Sequence, residues 1–336
     1  MTPHPPPAAA DDRLAWPGGP VTVRVPASSA NLGPGFDSLG LALGLYDTVE
    51  ARVLPDTFQC EVFTGCRSAR PQPAVSAAEE PGLIETNLVF RSVQAGFAAI
   101  GVQPPGLSLR CYNQIPQGYG LGSSAGAIVA GLVGARALAV AAGKPGALPD
   151  QELFELACEL EGHPDNVAAC FYGGLTVAWQ ASGGVRAARL VPQPGLAPVL
   201  CVPAEPLPTV TARQALPAQI PHASAAANAA RAALLIAALT SRPDLLLPGT
   251  EDFLHQPYRA ASMPASTALM ARLRDAGLAA AISGAGPAVL VLTMAGQHPG
   301  AAEVAQLAAD ADAAWQVLPL PVDSAGATEL PGRSAS

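Results

Sequence analysis

Val21, Val23 and Val25 alternate with Thr22, Arg24 and Pro26, the period-two pattern of a half-buried strand. The alternation returns over residues 46–54, YDTVEARVL. A Gly/Asn/Pro turn region and a short apolar segment separate the two. Residues 70–82 carry no pattern and read as a loop. Residues 86–101 have helical periodicity, with Asn87 near the start, and 106–116 read as a strand. Small residues dominate 122–143, which predicts one long helix. A second helix is predicted over 149–162, with Asp150 as its N-cap and Glu152 in its first turn. HPDNVAACFYGGLTVAW, residues 163–179, reads as a polar loop turning into a strand, and 197–203 as another strand. The second half predicts helices at 223–240, 265–276 and 301–314. A strand–Gly turn–strand spans 279–294, and a last strand covers 315–323. Strands and helices alternate without a regular βαβ repeat, so the fold class is α+β.

The 336 residues suffice for two domains. Pro and Gly cluster at 192–208 and mark the junction. The expected division is a flexible arm at 1–20, a first domain at 21–192, a second at 193–323 and a loose tail at 324–336. Half the residues are hydrophobic but only 5% are aromatic, so Ala, Leu and Val must build the core.

The net charge of −8 argues against broad nucleic-acid binding. The six cysteines form no C-x-x-C pair and no Cys/His cluster with zinc spacing. Scattered reduced thiols suggest a cytoplasmic protein. The N-terminus lacks the basic start and apolar core of a signal peptide. The long Ala/Leu stretches carry Gly, Arg or Asn and read as buried helices rather than membrane spans.

The candidate chemistry begins at IPQGYGLGSSAGA, residues 115–127. Gly118, Gly120 and Gly122 permit positive φ and leave no side chain between the amides and a ligand. Ser123, Ser124 and Ala125 would open a helix, whose free N–H groups and dipole attract an anion. The one lysine, Lys144, sits in AAGKPG, so no Walker A loop exists. Spacing alone leaves two readings open: a phosphate cradle, or a turn packing a strand tightly on a helix. The serine pair adds a hydroxyl that could ligate Mg²⁺.

This stretch resembles the central signature of the GHMP small-molecule kinases. PASSANLGPGFDSLGLAL (26–43) and EGHPDNVAACFYGG (161–174) are similar to signatures of the homoserine kinases within that superfamily, and SGAGPAVLVL (283–292) to its C-terminal glycine motif. The motifs keep the family's order over roughly residues 20–295. The resemblance implies a ribosomal protein S5 domain 2-like N-terminal domain, a ferredoxin-like C-terminal domain and an active site between them. It also implies ATP-dependent phosphorylation of the L-homoserine hydroxyl, for threonine synthesis. Dimerisation is common among such kinases, so a homodimer is one expected state, although no subunit surface is legible.

Site residues follow from the same resemblance. Asn87, as an adenine contact, and Pro116, Gly118, Gly120, Leu121, Gly122, Ser123, Ser124 and Ala125 would surround ATP. Ser124 and Glu155, eight residues before His163, would hold Mg²⁺; Glu159, one turn on, shares that face and is the rival. Homoserine is a zwitterion, so a carboxylate clamp is needed, best made by Arg forks. Arg213 and Arg259 match the family's clamp. Asp37 would take the ammonium, Asn31 and Asn166 the hydroxyl, and His163 would line the pocket. Asn31 alone is also a natural turn residue. Asp165 stands as a catalytic base or a structural carboxylate, and Thr209 lies near the reacting centre. Among departures, Gly126 stands where alanine is common and could weaken the helix by about 1 kcal/mol.

Overall fold

The computed structural model describes residues 14–54, 60–65, 75–76 and 81–331, with backbone alone at 60–65, 75–76, 81–83 and 209–211. The strands are β1 (Val21–Asn31), β2 (Gly35–Val53), β3 (Cys60–Gly65), β4 (Val75–Ser76), β5 (Leu107–Tyr112), β6 (Leu175–Ala181), β7 (Gly184–Leu190), β8 (Leu196–Pro203), β9 (Ala279–Ile282), β10 (Val289–Met294), β11 (Trp315–Pro319) and β12 (Thr328–Leu330). The helices are α1 (Pro81–Thr86), α2 (Leu88–Ile100), α3 (Ser123–Ala141), α4 (Asp150–Glu161), α5 (Asp165–Tyr172), α6 (Thr209–Gln214), α7 (His222–Thr240), α8 (Leu246–Gly249), α9 (Gln256–Arg259), α10 (Pro264–Asp275) and α11 (Ala301–Ala309).

The first sheet runs β12-β1-β2-β5-β3-β4, and β6 and β7 branch from β2. Only the β3–β5 pairing is parallel among those described. The valines of β1 point into a core with Ile128, Leu132 and Leu138 of α3, and with Phe97 and Phe154. Small residues let α2 approach α3: a Cβ on Gly131 would lie 2.7 Å from the Ser92 Cβ. At Gly126 the nearest atom to such a Cβ is 3.6 Å away, so alanine would fit there.

The second sheet runs β11-β8-β10-β9, all antiparallel. With α10 and α11 packed on one face as the connecting helices, this is the expected ferredoxin-like order. The period of two is spent on both faces. Val199, Cys201, Val289 and Val291 pack beneath α10 and α11. Leu200, Val202, Leu290 and Leu292 join Leu39, Leu41 and Leu43 of the first domain in one apolar core. The two domains therefore share a buried interface.

Several expectations need correcting. Asp150 is the first helical residue of α4, not its N-cap; Pro149 holds that place, and Asp150 takes a hydrogen bond from Arg136. Residues 165–172 are helix α5 rather than loop, started by the Pro164 turn. The tail is not loose throughout, because Thr328–Leu330 pairs with Thr22–Arg24 and returns the chain to the first sheet. Of the arm, 1–13 lies outside the described residues, as does the end of the tail, 332–336. Trp16 meets Phe97 edge-on at 5.8 Å and Leu14 packs on the same core. The loop expected at 70–82 lies largely outside the described residues, although β4 and the start of α1 fall within it. By length and composition alone α3 and α7 could cross a membrane; α3 is largely buried in the core, as the sequence reading expected of it, whereas α7 is not.

Candidate functional site

The glycine loop is held from three sides. Before it, the buried Asp47 carboxylate accepts from the N–H groups of Gln114 at 2.6 Å and Ile115 at 2.9 Å. Ser28 N–H donates to Leu121 O at 3.1 Å. Ser283 Oγ donates to Gly120 O at 2.7 Å, bringing in the 283–288 turn of the second domain. Gly118, Gly120 and Gly122 have φ of 82°, 73° and 70°, where only glycine sits without strain. The space forbids larger residues too. A Cβ on Gly120 would lie 2.1 Å from Ser283 O, and one on Gly122 2.0 Å from Ser28 Oγ. Gly122 is the N-cap of α3, and no side chain caps its first turn. Its orphan N–H groups meet a cavity of about 640 Å³.

Asn87, Pro116, Gly118, Gly120, Leu121, Gly122, Ser123 and Ser124 line that cavity. Ala125 does not: it is fully buried in the core under α3. Asn87 caps α2, its side-chain oxygen accepting from Phe90 N–H at 3.0 Å.

The carboxylate beside Ser124 is Glu161, which corrects both sequence candidates. Ser124 Oγ donates to Glu161 Oε1 at 2.6 Å. Glu155 lies more than a turn earlier on α4, aimed at β7, where it pairs with Arg186 and accepts from Gln151. Those hydrogen bonds, Gln151's first, hold its carboxyl below the usual range. Glu159 likewise faces a neighbouring groove with Trp179, not the loop. Glu161 ends α4 because Gly162, at φ 87°, turns the chain out of the helix. Burial pushes its carboxyl above the ordinary value, against the lowering effect of the Ser124 hydroxyl.

His163 and Asp165 follow across the same turn. His163 Nδ1 lies 2.8 Å from Asp165 Oδ1, and its Nε2 3.8 Å from Glu161 Oε1. Burial pulls the imidazole down, but the Asp165 hydrogen bond and the Asp165 and Glu161 charges leave it raised overall. Asp165 Oδ1 also accepts from Asn166 N–H at 2.7 Å. The Asn166 side-chain oxygen accepts from Ser28 Oγ at 2.9 Å.

The β1–β2 turn supplies the next wall. Asn31, Leu32 and Gly33 have positive φ of 67°, 51° and 93°, and Asp37 has 52°. Asn31 and Asp37 are among the residues that tolerate this region. Asn31 Nδ2 donates to Gly284 O at 2.8 Å, and its Oδ1 accepts from Asp37 N–H at 2.9 Å. Asn31 thus acts as a turn residue while still lining the cavity. Asp37 does not stand alone: Arg213 pairs with it at 2.8 Å. Arg259 is buried, donating from Nε to Ala212 O at 3.1 Å and from Nη1 to His255 Nδ1 at 3.1 Å. Burial and the Arg213 charge hold its guanidinium below the ordinary value. Both arginines reach the cavity, as do Gly284 and Ala285 of the 283–287 turn. Thr209 begins α6, but its side chain lies outside the described residues.

Sequence reasoning missed Glu161, His255 and Phe36, whose ring lies 5.4 Å from Arg259 and 5.9 Å from Arg213. The phosphate-type cradle, the Ser124–Glu161 oxygen pair and a pocket with both charge signs therefore open into one cavity. Two hard oxygens beside a phosphate site suit Mg²⁺, which keeps waters and phosphate oxygens as its other ligands. Among the described residues no cluster of three His, Cys, Asp or Glu side chains could hold a metal.

The model for the GHMP kinases N terminal domain matches residues 87–174, and that for the GHMP kinases C terminal domain matches residues 225–314. The chain is 50% identical over 316 residues to a homoserine kinase of Streptomyces coelicolor, covering 94% of this chain and 96% of that protein. It is 46% identical over 312 residues to a homoserine kinase of Leifsonia xyli subsp. xyli, covering 93% and 92% respectively. The crystal structure of homoserine kinase from Cytophaga hutchinsonii is similar with a TM-score of 0.75 at 25% identity, covering 93% of this chain and 98% of that one. The mevalonate kinase of Methanococcus jannaschii, at 14% identity and a TM-score of 0.62 over 91% of this chain and 99% of that one, shares the fold.

Proposed function

The chain belongs to the homoserine kinases of the GHMP kinase family, and from that membership we propose that it transfers the γ-phosphoryl group of ATP to the side-chain hydroxyl of L-homoserine. The product is O-phospho-L-homoserine, destined for threonine biosynthesis. The observation that carries this reading is the meeting, in one cavity, of an uncapped helix start, the Ser124–Glu161 pair and the Asp37–Arg213 pair.

Phosphoryl transfer requires positioning and charge neutralisation more than covalent help. The N–H groups of the glycine loop and the first turn of α3 would cradle the phosphates. Ser124 and Glu161 would hold Mg²⁺, which neutralises phosphate charge when bound. The raised carboxyl of Glu161 supports this, since a buried carboxylate gains most from a cation.

Homoserine brings one positive and one negative end. Asp37 would take the ammonium, and Arg213 and Arg259 the carboxylate. The Asp37–Arg213 pair opens as each residue accepts the opposite end of the substrate, so little net charge is stranded in either state. Asn166 would face the hydroxyl. Asp165 serves as a structural carboxylate: its Oδ1 already accepts from Asn166 N–H and meets His163. The substrate hydroxyl would then attack the γ-phosphorus directly as the bond to the departing ADP oxygen breaks, its proton passing to an oxygen of the transferred phosphoryl group. The cytoplasm suits the buried free thiols Cys111, Cys158, Cys170 and Cys201.

The test is ADP release by the purified protein with ATP and Mg²⁺, with homoserine or mevalonate as acceptor. Homoserine-dependent turnover is expected; turnover with mevalonate alone, or with neither, removes the reading.

A further inference from the structure

Among the described residues, His255 is the one fully buried imidazole in contact with the proposed carboxylate clamp, and the mechanism above leaves it unused. It sits before α9, where Asp252 accepts from the N–H groups of Leu254, His255 and Gln256 at 2.9, 3.1 and 2.7 Å. The Asp252 and His255 side chains have no exposed surface, and His255 Nε2 lies 3.5 Å from Asp252 Oδ2. Two contacts fix the ring's protonation. Nε2 lies 2.8 Å from Gly33 O, a carbonyl that can only accept, so Nε2 carries hydrogen. Nδ1 lies 3.1 Å from Arg259 Nη1, a group that can only donate, so Nδ1 carries a lone pair. A doubly protonated ring would set one donor against another. Burial favours the neutral form, holding the imidazole below its ordinary value.

The ring touches both ends of the substrate pocket. Gly33 belongs to the turn between Asn31 and Asp37, and Phe36 of the same segment stacks on His255 at 5.3 Å. Arg259 comes from the second domain. The remaining Arg259 bonds, to Ala212 O at 3.1 Å and Gly284 O at 3.3 Å, leave His255 as its one side-chain hydrogen-bond partner among the described residues. The imidazole therefore links the ammonium-binding turn to the carboxylate-binding fork, beside the Phe36 ring and the Gly284 carbonyl that Asn31 and Arg259 share.

We propose that His255, as the Nε2–H tautomer, is a positioning residue for substrate recognition: its Nδ1 lone pair aims Arg259 at the homoserine carboxylate. This rests on the assignment of Arg259 to the carboxylate clamp. It differs from a core-filling role in which nitrogen is used. Asparagine can reproduce the acceptor at the Nδ1 position, while glutamine can reach the Nε2 position as a donor. Leucine keeps bulk but offers neither.

The experiment compares His255→Asn, His255→Gln and His255→Leu for the KM of homoserine, the KM of ATP and kcat. The expected result is a homoserine KM within about three-fold of the parent for Asn, and a rise of about ten-fold or more for Gln and Leu, with the ATP KM unmoved. The proposal is overturned if Gln preserves the homoserine KM and Asn does not, since anchoring Gly33 would then be the ring's role. It is also overturned if all three move both KM values together. Should the variants fold poorly, nitrogen NMR of the parent protein reads the tautomer directly; an Nδ1–H or doubly protonated ring at neutral pH overturns the proposal. If the parent turns over no homoserine, the substrate reading fails first, while the tautomer measurement still tests the geometry.

Discussion

Glu161→Gln isolates one charge at the proposed metal position. The two side chains have nearly the same shape, so the change removes a negative charge and leaves an oxygen. Ser124 Oγ lies 2.6 Å from Oε1, and only 6% of the Glu161 side chain is exposed. Two unit charges about 4 Å apart interact by about 4 kcal/mol at an effective dielectric of about 20. The retained carbonyl keeps part of that, so a loss of about 2–4 kcal/mol in cation affinity is expected, roughly 30- to 1000-fold. The assay is initial rate against free Mg²⁺ at saturating ATP and homoserine. The Mg²⁺ concentration for half-maximal rate should rise by that factor, with kcat falling. Glu155→Gln and Glu159→Gln are the controls. Both side chains face the Trp179 groove, so both should keep the parent's Mg²⁺ dependence. An unchanged dependence for Glu161→Gln, or a shift produced by Glu155→Gln instead, refutes the assignment.

Three further outcomes can be checked. Arg213→Ala should raise the homoserine KM by about 5- to 30-fold, because a charge-assisted bond of about 1.5–3 kcal/mol is offset by the half-exposed Asp37 pair it replaces, while the ATP KM stays put; equal homoserine KM values remove Arg213 from the clamp. His163 is raised in the folded chain, so its pairing with Asp165 stabilises fully below about pH 6.5 and is lost as pH climbs through the folded value. Chemical denaturation across that range should show the parent losing stability more steeply than His163→Gln, and parallel curves would contradict the pairing. Gly120→Ala, forced to φ 73° with its Cβ 2.1 Å from Ser283 O, should lower the melting temperature and raise the ATP KM, consistent with strain of about 1–3 kcal/mol; a variant matching the parent in both would mean the loop is slack.

The cradle was legible because glycine spacing and a following run of small residues encode backbone geometry directly. Gly118, Gly120 and Gly122 are needed for their φ values, and Asn31 and Asp37 for theirs. The carboxylate beside Ser124 was not legible. Counting back from His163 put it at Glu155, but the distance from helix to histidine depends on where the helix stops. Gly162 stops α4 only after Glu161, so the last glutamate reaches Ser124 and the earlier ones point to β7. Helix α5 was hidden by its opening His163-Pro164-Asp165-Asn166, which carries turn chemistry even though the residues behind it are helical. His255 was invisible for another reason: its partners Gly33 and Arg259 are distant in sequence or on its own short helix, and no periodicity joins them.

Strand β12 pairs with β1 although the chain builds an entire second domain between them. During synthesis the outer margin of the first sheet must therefore wait, unpaired, until the ribosome has passed the ferredoxin-like unit. An open margin of that kind is a template for unwanted pairing. The second domain is thus, in topological terms, a long insertion whose two ends are sewn into the first, and circular rearrangements joining the neighbourhoods of Val21 and Leu330 should be tolerated far better than a cut between the domains.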